Sequence, residues 1–106
     1  MYGAQPWGEQ YTLRAAADGK YPLYQWGKGQ IGTTTLHRGD ILKIGTTSNG
    51  SSRYSNSFYQ NTGMGLTYTP EFFGPIDQLI FVERMKLLNY AIQNGGALPP
   101  GNRKLQ

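Results

Sequence analysis

The chain contains no cysteine and a single histidine, His37. Disulfide frameworks, thiolate zinc sites and cysteine nucleophiles are thereby excluded, and so are histidine-rich metal sites. A bound metal would be held mainly by oxygen, which favours magnesium, manganese or calcium. Acidic side chains are scarce: six Asp and Glu against ten Lys and Arg give a net charge of +4. That balance draws a protein toward polyanions without selecting one, and an ordinary mildly basic protein fits it as well. No run approaches the ~20 apolar residues of a membrane span, so no membrane partner is expected. The first residues lack the basic and apolar regions of a signal peptide. His37 stands beside Arg38 with nothing marking a nucleophile, which argues against a Ser-His-Asp hydrolase.

What is present is a chain of 106 residues, enough for one compact domain. Fifteen glycines and six prolines predict many turns. The core must come from eight Tyr, four Phe and two Trp, each able to bury roughly 150–250 Å². Residues 1–9 show no periodicity and read as a linker or entry segment, leaving 10–106 as the domain. Extended runs are expected at 10–17 and 20–26, joined by the tight-turn pair Asp18-Gly19. Pro22 cannot donate to a ladder and should face an edge or start its strand. Residues 27–39, rich in Gly and Thr, read as a loop or loosely paired extension. A strand follows at 40–45, with Ile41 and Lys43 on one face and Leu42 and Ile44 on the other. Residues 46–52 read as a polar loop and 53–61 as a short helix ended near Gly63. A strand is expected at 66–73, its second half in doubt because of Pro70.

The clearest element is a helix from about Pro75 to Asn94, with Asp77 near its positive end and Gly95 as its stop. The tail 97–106 is irregular and basic. The sum is an α+β domain: a small antiparallel sheet of three to five strands, one short helix and one long buried helix. At about 100° per residue, Ile76, Leu79, Ile80, Leu87 and Tyr90 share one face of the long helix. Phe81, Met85, Leu88 and Ile92 form a second apolar arc opposite, so the helix is expected to be buried on two sides. Glu83 falls in the middle of the first face. A buried carboxylate requires a basic partner such as Arg53, a hydrogen-bond network, or a metal ion. Periodicity does not choose among these.

Taken in order, Pro22-Leu23-Tyr24, Lys43-Ile44-Gly45, Arg53, Glu83 and Asn102 resemble the GIY-YIG nucleases, a family with two strand motifs, an arginine on a following helix and a metal-binding glutamate on a later one. Pro22-Leu23-Tyr24 is similar to the first motif and keeps its tyrosine. Lys43-Ile44-Gly45 is similar to the second, with lysine where the family has tyrosine. Arg53 follows Lys43 by ten residues, Glu83 lies on the long helix, and Asn102 closes a PPGN segment. The position four residues past the arginine, often His or Tyr in the family, is Ser57. The likeness spans residues 21–102, about three quarters of the chain. The stretch 39–102, with GDILKIGTT, RYS, Glu83, the NY.I.NG run and LPPGN, also resembles the C-terminal toxin tips of Rhs/YD-repeat polymorphic toxins.

The resemblance implies a nuclease toxin released from a larger secreted polypeptide, acting in the cytoplasm of a competitor cell and held in check by a cognate immunity protein. Its substrate would be nucleic acid, DNA favoured over RNA. Catalysis would involve Tyr24, Lys43, Arg53 and Glu83, with Glu83 holding one divalent cation, Mg²⁺ or Mn²⁺. Arg53 would grip phosphate through its planar fork, Tyr24 would orient or deprotonate water, and Lys43 would serve as a phosphate-binding charge. Tyr54, Tyr59, Asn102, Arg103 and Lys104 would join Arg53 in contacting nucleic acid. Plainer roles are open for each. Tyr24, Tyr54 and Tyr59 would be core aromatics, Arg53 and Lys43 solvated basic residues, Asn102 a turn residue and His37 a surface residue. A non-catalytic nucleic-acid-binding or protein-interaction domain on the same fold is the rival reading.

Overall fold

The computed structural model describes residues 6–25 and 27–102. It is an α+β structure in two layers, a sheet with a long helix on one face and an aromatic core on the other. The strands β1 (Trp7–Ala15), β2 (Gly19–Gln25), β3 (Gly29–Leu36) and β4 (Ile41–Thr47) precede a short 3-10 turn, Gly50–Arg53. Helix α1 (Asn56–Asn61), β5 (Leu66–Pro75) and helix α2 (Ile76–Gln93) complete the chain order.

The main sheet is antiparallel, in the order β4-β1-β5. β1 starts at Trp7, so residues 7–9 belong to the sheet and not to an entry linker. As the central strand it is covered on both faces, and Gln10–Leu13 are all buried despite two polar members. Both of its edges are taken by β4 and β5, so the Asp18-Gly19 turn cannot fold β2 back onto it. β2 pairs with β3 in a separate two-stranded hairpin. The expected loop at 27–39 is thus largely a strand: its β-branched Thr33, Thr34 and Thr35 pair with Pro22, Tyr21 and Lys20. Pro70 does not end β5. That strand lies at the sheet edge, and a register shift opposite Gln10 and Tyr11 absorbs the missing donor and leaves Glu71 unpaired in the ladder.

The core gathers Tyr11, Leu13, Ala15, Tyr21, Leu36, Leu42, Tyr54 and Leu66 on the α1 side of the sheet, with Phe58, Tyr59 and Tyr68 packed around them. A bulge between Leu13 and Arg14 breaks the expected alternation of β4: Leu42 joins this core while Lys43, next to it, also reaches Tyr54. The expected helix at 53–61 is split. Tyr54 is extended, and the Ser55 hydroxyl accepts from Phe58 N–H at 3.0 Å to start α1 afresh.

α2 packs across the other face of the sheet, with Pro75 as its N-cap and Gly95, at φ +66°, just beyond its end. Only Leu79 is fully buried on it. The expectation of burial on two sides is corrected here: Phe81, Met85, Leu88 and Ile92 are exposed, Ile92 by 72%. The sheet covers one side of the helix, and no described element lies over the other.

Candidate functional site

Antiparallel pairing of β1 with β4 places Tyr11 directly across from Gly45 and Leu13 across from Lys43. Gly45 matters for want of a side chain, because a Cβ there would collide with the Tyr11 hydroxyl. The Tyr11 hydroxyl therefore reaches past β4 to within 2.7 Å of the Tyr54 hydroxyl. Lys43 Nζ donates to the same Tyr54 oxygen at 3.1 Å. The Arg53 guanidinium lies over the Tyr54 ring, 5.5 Å from its centroid. Two cations and two phenols thus converge on one side of the sheet.

No carboxylate pairs with either cation among the described residues. Lys43 is buried, and Arg53 Nε is buried without a hydrogen-bond partner there. Burial, followed by the Tyr54 contact, pushes the Tyr11 phenol well up from its ordinary pKa. Burial works against the Arg53 guanidinium, but the phenols of Tyr11 and Tyr54 outweigh it and the net shift is upward. Tyr11 accordingly keeps its proton through the neutral range and can donate or position, not abstract. Nearby, Tyr68 donates to Glu9, and burial and that carboxylate also raise its pKa. Tyr59 donates to the Ser51 carbonyl. The Glu9 carboxylate is held by Tyr68 and pairs with neither cation, so the Lys43 and Arg53 end of the group is complementary to an anion.

Of the residues singled out from sequence, Lys43 and Arg53 are brought together and Tyr24 is not. Tyr24 lies on β2 and lines a cleft between the β2–β3 hairpin and α1. The tyrosine beside Lys43 is instead Tyr11, on the strand that pairs directly with β4. Pro22 carries the signal for this, because a proline suits an edge hairpin better than a central strand. Tyr54 is a buried hub of the cluster and not a free stacking surface, and Tyr59 is half-buried beside it. Asn102 acts as a structural clamp. Its amide accepts from Ile44 N–H and donates to Ile44 C=O, both at 2.8 Å, closing the outer edge of β4. Arg103 and Lys104 lie outside the described residues. His37 is on the surface, 3.6 Å from Asp18.

Glu83 is half-buried on the inner face of α2 and accepts from the Thr46 hydroxyl at 2.7 Å. Strand alternation puts Thr46 on the face opposite Gly45 and Tyr11, so Glu83 flanks the same edge strand from the other side. No cation pairs with Glu83 among the described residues, whereas nearby Glu71 is neutralised by Lys86 at 2.6 Å, with Arg14 at 3.9 Å. Burial opposes ionisation of Glu71, but its bonds from Lys86 and Thr12 prevail and lower its pKa. No group of three His, Asp or Glu side chains converges among the described residues. A hard cation such as Mg²⁺ keeps most of its water and takes one or two carboxylates plus phosphate oxygens. Glu83, with one oxygen bonded by Thr46 and its second uncommitted among the described residues, fits that minimal demand.

No family model, curated protein or solved structure matches the chain.

Proposed function

We propose that this chain is a nuclease that hydrolyses phosphodiester bonds, with the phosphate held at the Tyr11, Lys43, Arg53 and Tyr54 cluster. One observation carries the reading: two cations and two hydroxyls meet at one strand pair with no described carboxylate to neutralise them. Arg53, whose Nε is buried, would grip the phosphate through its terminal guanidinium nitrogens, and Lys43 behind it would add a point charge. Tyr11, buried and protonated at neutral pH, would hold the Tyr54 hydroxyl in place from behind and not touch the substrate. Glu83 would hold a divalent cation, Mg²⁺ or Mn²⁺, which when bound stabilises charge developing on phosphate oxygens. The substrate strand would pass the Gly45–Thr47 end of β4, which both groups flank, beyond the stretch that Asn102 closes.

The resemblance to Rhs-type toxin tips supports a toxin role: delivery from a larger polypeptide, action on nucleic acid in a target cell, DNA favoured over RNA, and a cognate immunity protein. The placement of Glu83 and the cluster on opposite faces favours a second reading, a nucleic-acid-binding domain without catalysis. Incubation of the purified protein with plasmid and with total RNA, in Mg²⁺ and in EDTA, separates the two. The nuclease predicts nicked or fragmented product only with the metal. Salt-sensitive binding indifferent to EDTA, with all substrate intact, would establish the second reading.

A further inference from the structure

The β2–β3 hairpin and α1 enclose a cleft of about 430 Å³ that the catalytic reading leaves unused. Its walls include Tyr24 and Phe58, and its rim carries Lys20, Gln30 and Asn61. Phe58 also stacks on Tyr54, with ring centroids 4.5 Å apart and planes 14° apart. The cleft and the cation cluster therefore share one wall: Phe58 faces the first, and the Tyr54 hydroxyl belongs to the second. The polar groups at the rim have capacity to spare. Asn61 Nδ2 donates to Ser57 and Gln30 Nε2 to the Gly32 carbonyl, while their side-chain oxygens have no partner among the described residues. Lys20 is exposed and forms no ion pair there.

We propose that this cleft takes one unstacked nucleobase of a single-stranded nucleic acid whose neighbouring phosphate lies at Arg53. The phosphate half of the proposal rests on the function argued above; the base half rests on the cleft alone. Aromatic faces bind any base through its π-surface, and amides that both donate and accept match the edges a base exposes once it is unpaired. Lys20 is placed to meet a backbone phosphate on the outer side. A base inside a continuous duplex is stacked and paired, so it cannot enter without being extruded. The preferred substrate is thus a single strand, a loop or a frayed end, and Tyr24 serves as a base platform.

The test is fluorescence anisotropy in EDTA, where nothing is cleaved. The probes are a labelled oligodeoxyuridylate, the matching oligouridylate and a blunt duplex of equal length. Both single strands should bind more tightly than the duplex, and whichever binds better identifies the favoured sugar. Tyr24→Ala and Asn61→Ala should each weaken single-strand binding on the order of tenfold. Asn61 is exposed, so its variant guards against a folding artefact. Equal affinity for duplex and single strand, or wild-type affinity in both variants, overturns the proposal. The two readings fail separately: base binding through Tyr24 with all strands intact in Mg²⁺ would refute only the nuclease, and cleavage with unaltered affinity in the variants would refute only the base site.

Discussion

Replacing Lys43 by methionine should separate what the cluster does for function from what it does for the fold. Lys43 is only 7% exposed, and its ammonium has the Tyr54 hydroxyl at 3.1 Å and the Tyr54 ring centroid at 5.7 Å as partners. A hydrogen bond involving a charged group contributes about 1.5–3 kcal/mol. Against this, withdrawing an ammonium from water costs several kcal/mol, and no carboxylate among the described residues offsets it. Methionine preserves most of the length and the packing, and Tyr54 keeps its 2.7 Å bond to Tyr11. Lys43→Met should therefore leave stability unchanged or raise it by up to ~2 kcal/mol, while nucleic-acid affinity and cleavage fall. Urea unfolding followed by fluorescence measures the first, and the gel assay the second. A stability loss beyond ~2 kcal/mol, with an unchanged denaturant slope, would show that Lys43 holds the fold together and would refute the reasoning.

Other perturbations follow from the same geometry. Gly45→Ala forces a Cβ against the Tyr11 hydroxyl, and should cost roughly 1–3 kcal/mol in urea unfolding and lower activity with it. Asn102→Ala removes two bonds to the backbone of Ile44 and should cost about 1–3 kcal/mol, read as a fall in Tm of several degrees. The Glu71 carboxyl has a folded pKa below its unfolded value, so its contribution to stability is present above the unfolded value and is lost as pH falls through the folded one. Glu71→Gln should flatten the acid limb of a stability-against-pH curve; an unchanged limb would remove that assignment. Glu83→Gln should fold normally and lose metal-dependent cleavage, and a variant that cleaves as fast as the parent would end the metal assignment.

Some of this architecture is legible in the sequence because local chemistry decides it. Pro75, Asp77 and Gly95 bracket α2 to within a residue or two, and the short apolar run expected as a strand at 40–45 marks β4, which extends through Thr46 and Thr47 of the expected loop. The hairpin partner β3 is hidden by its Gly and Thr content, which reads as a loop until Tyr21 and Lys20 are seen to pair with it. The helical wheel locates both apolar faces of α2 but cannot count the layers around it, and only one face meets the sheet. Tyr11 is hard to single out because its neighbours Gln10 and Thr12 are polar. They face the polar patch of Glu71 beneath α2, so the strand lacks the plain pattern of a core element. Lys43 and Arg53 are easier to pair, because a short loop and 3-10 turn returns the chain to the strand it left and keeps sequence neighbours close in space. The wheel puts Glu83 on the inner face of α2, where it lies. Its separation from the cluster by the thickness of a sheet depends on strand register, which no local pattern encodes.

The phosphate-holding role of the cluster is tested most directly by the rate of plasmid cleavage in Mg²⁺ by Arg53→Ala protein beside the parent. Cleavage by the parent and its loss in the variant, with an unchanged circular-dichroism spectrum, is the result the account predicts. Equal rates in the two proteins would contradict it.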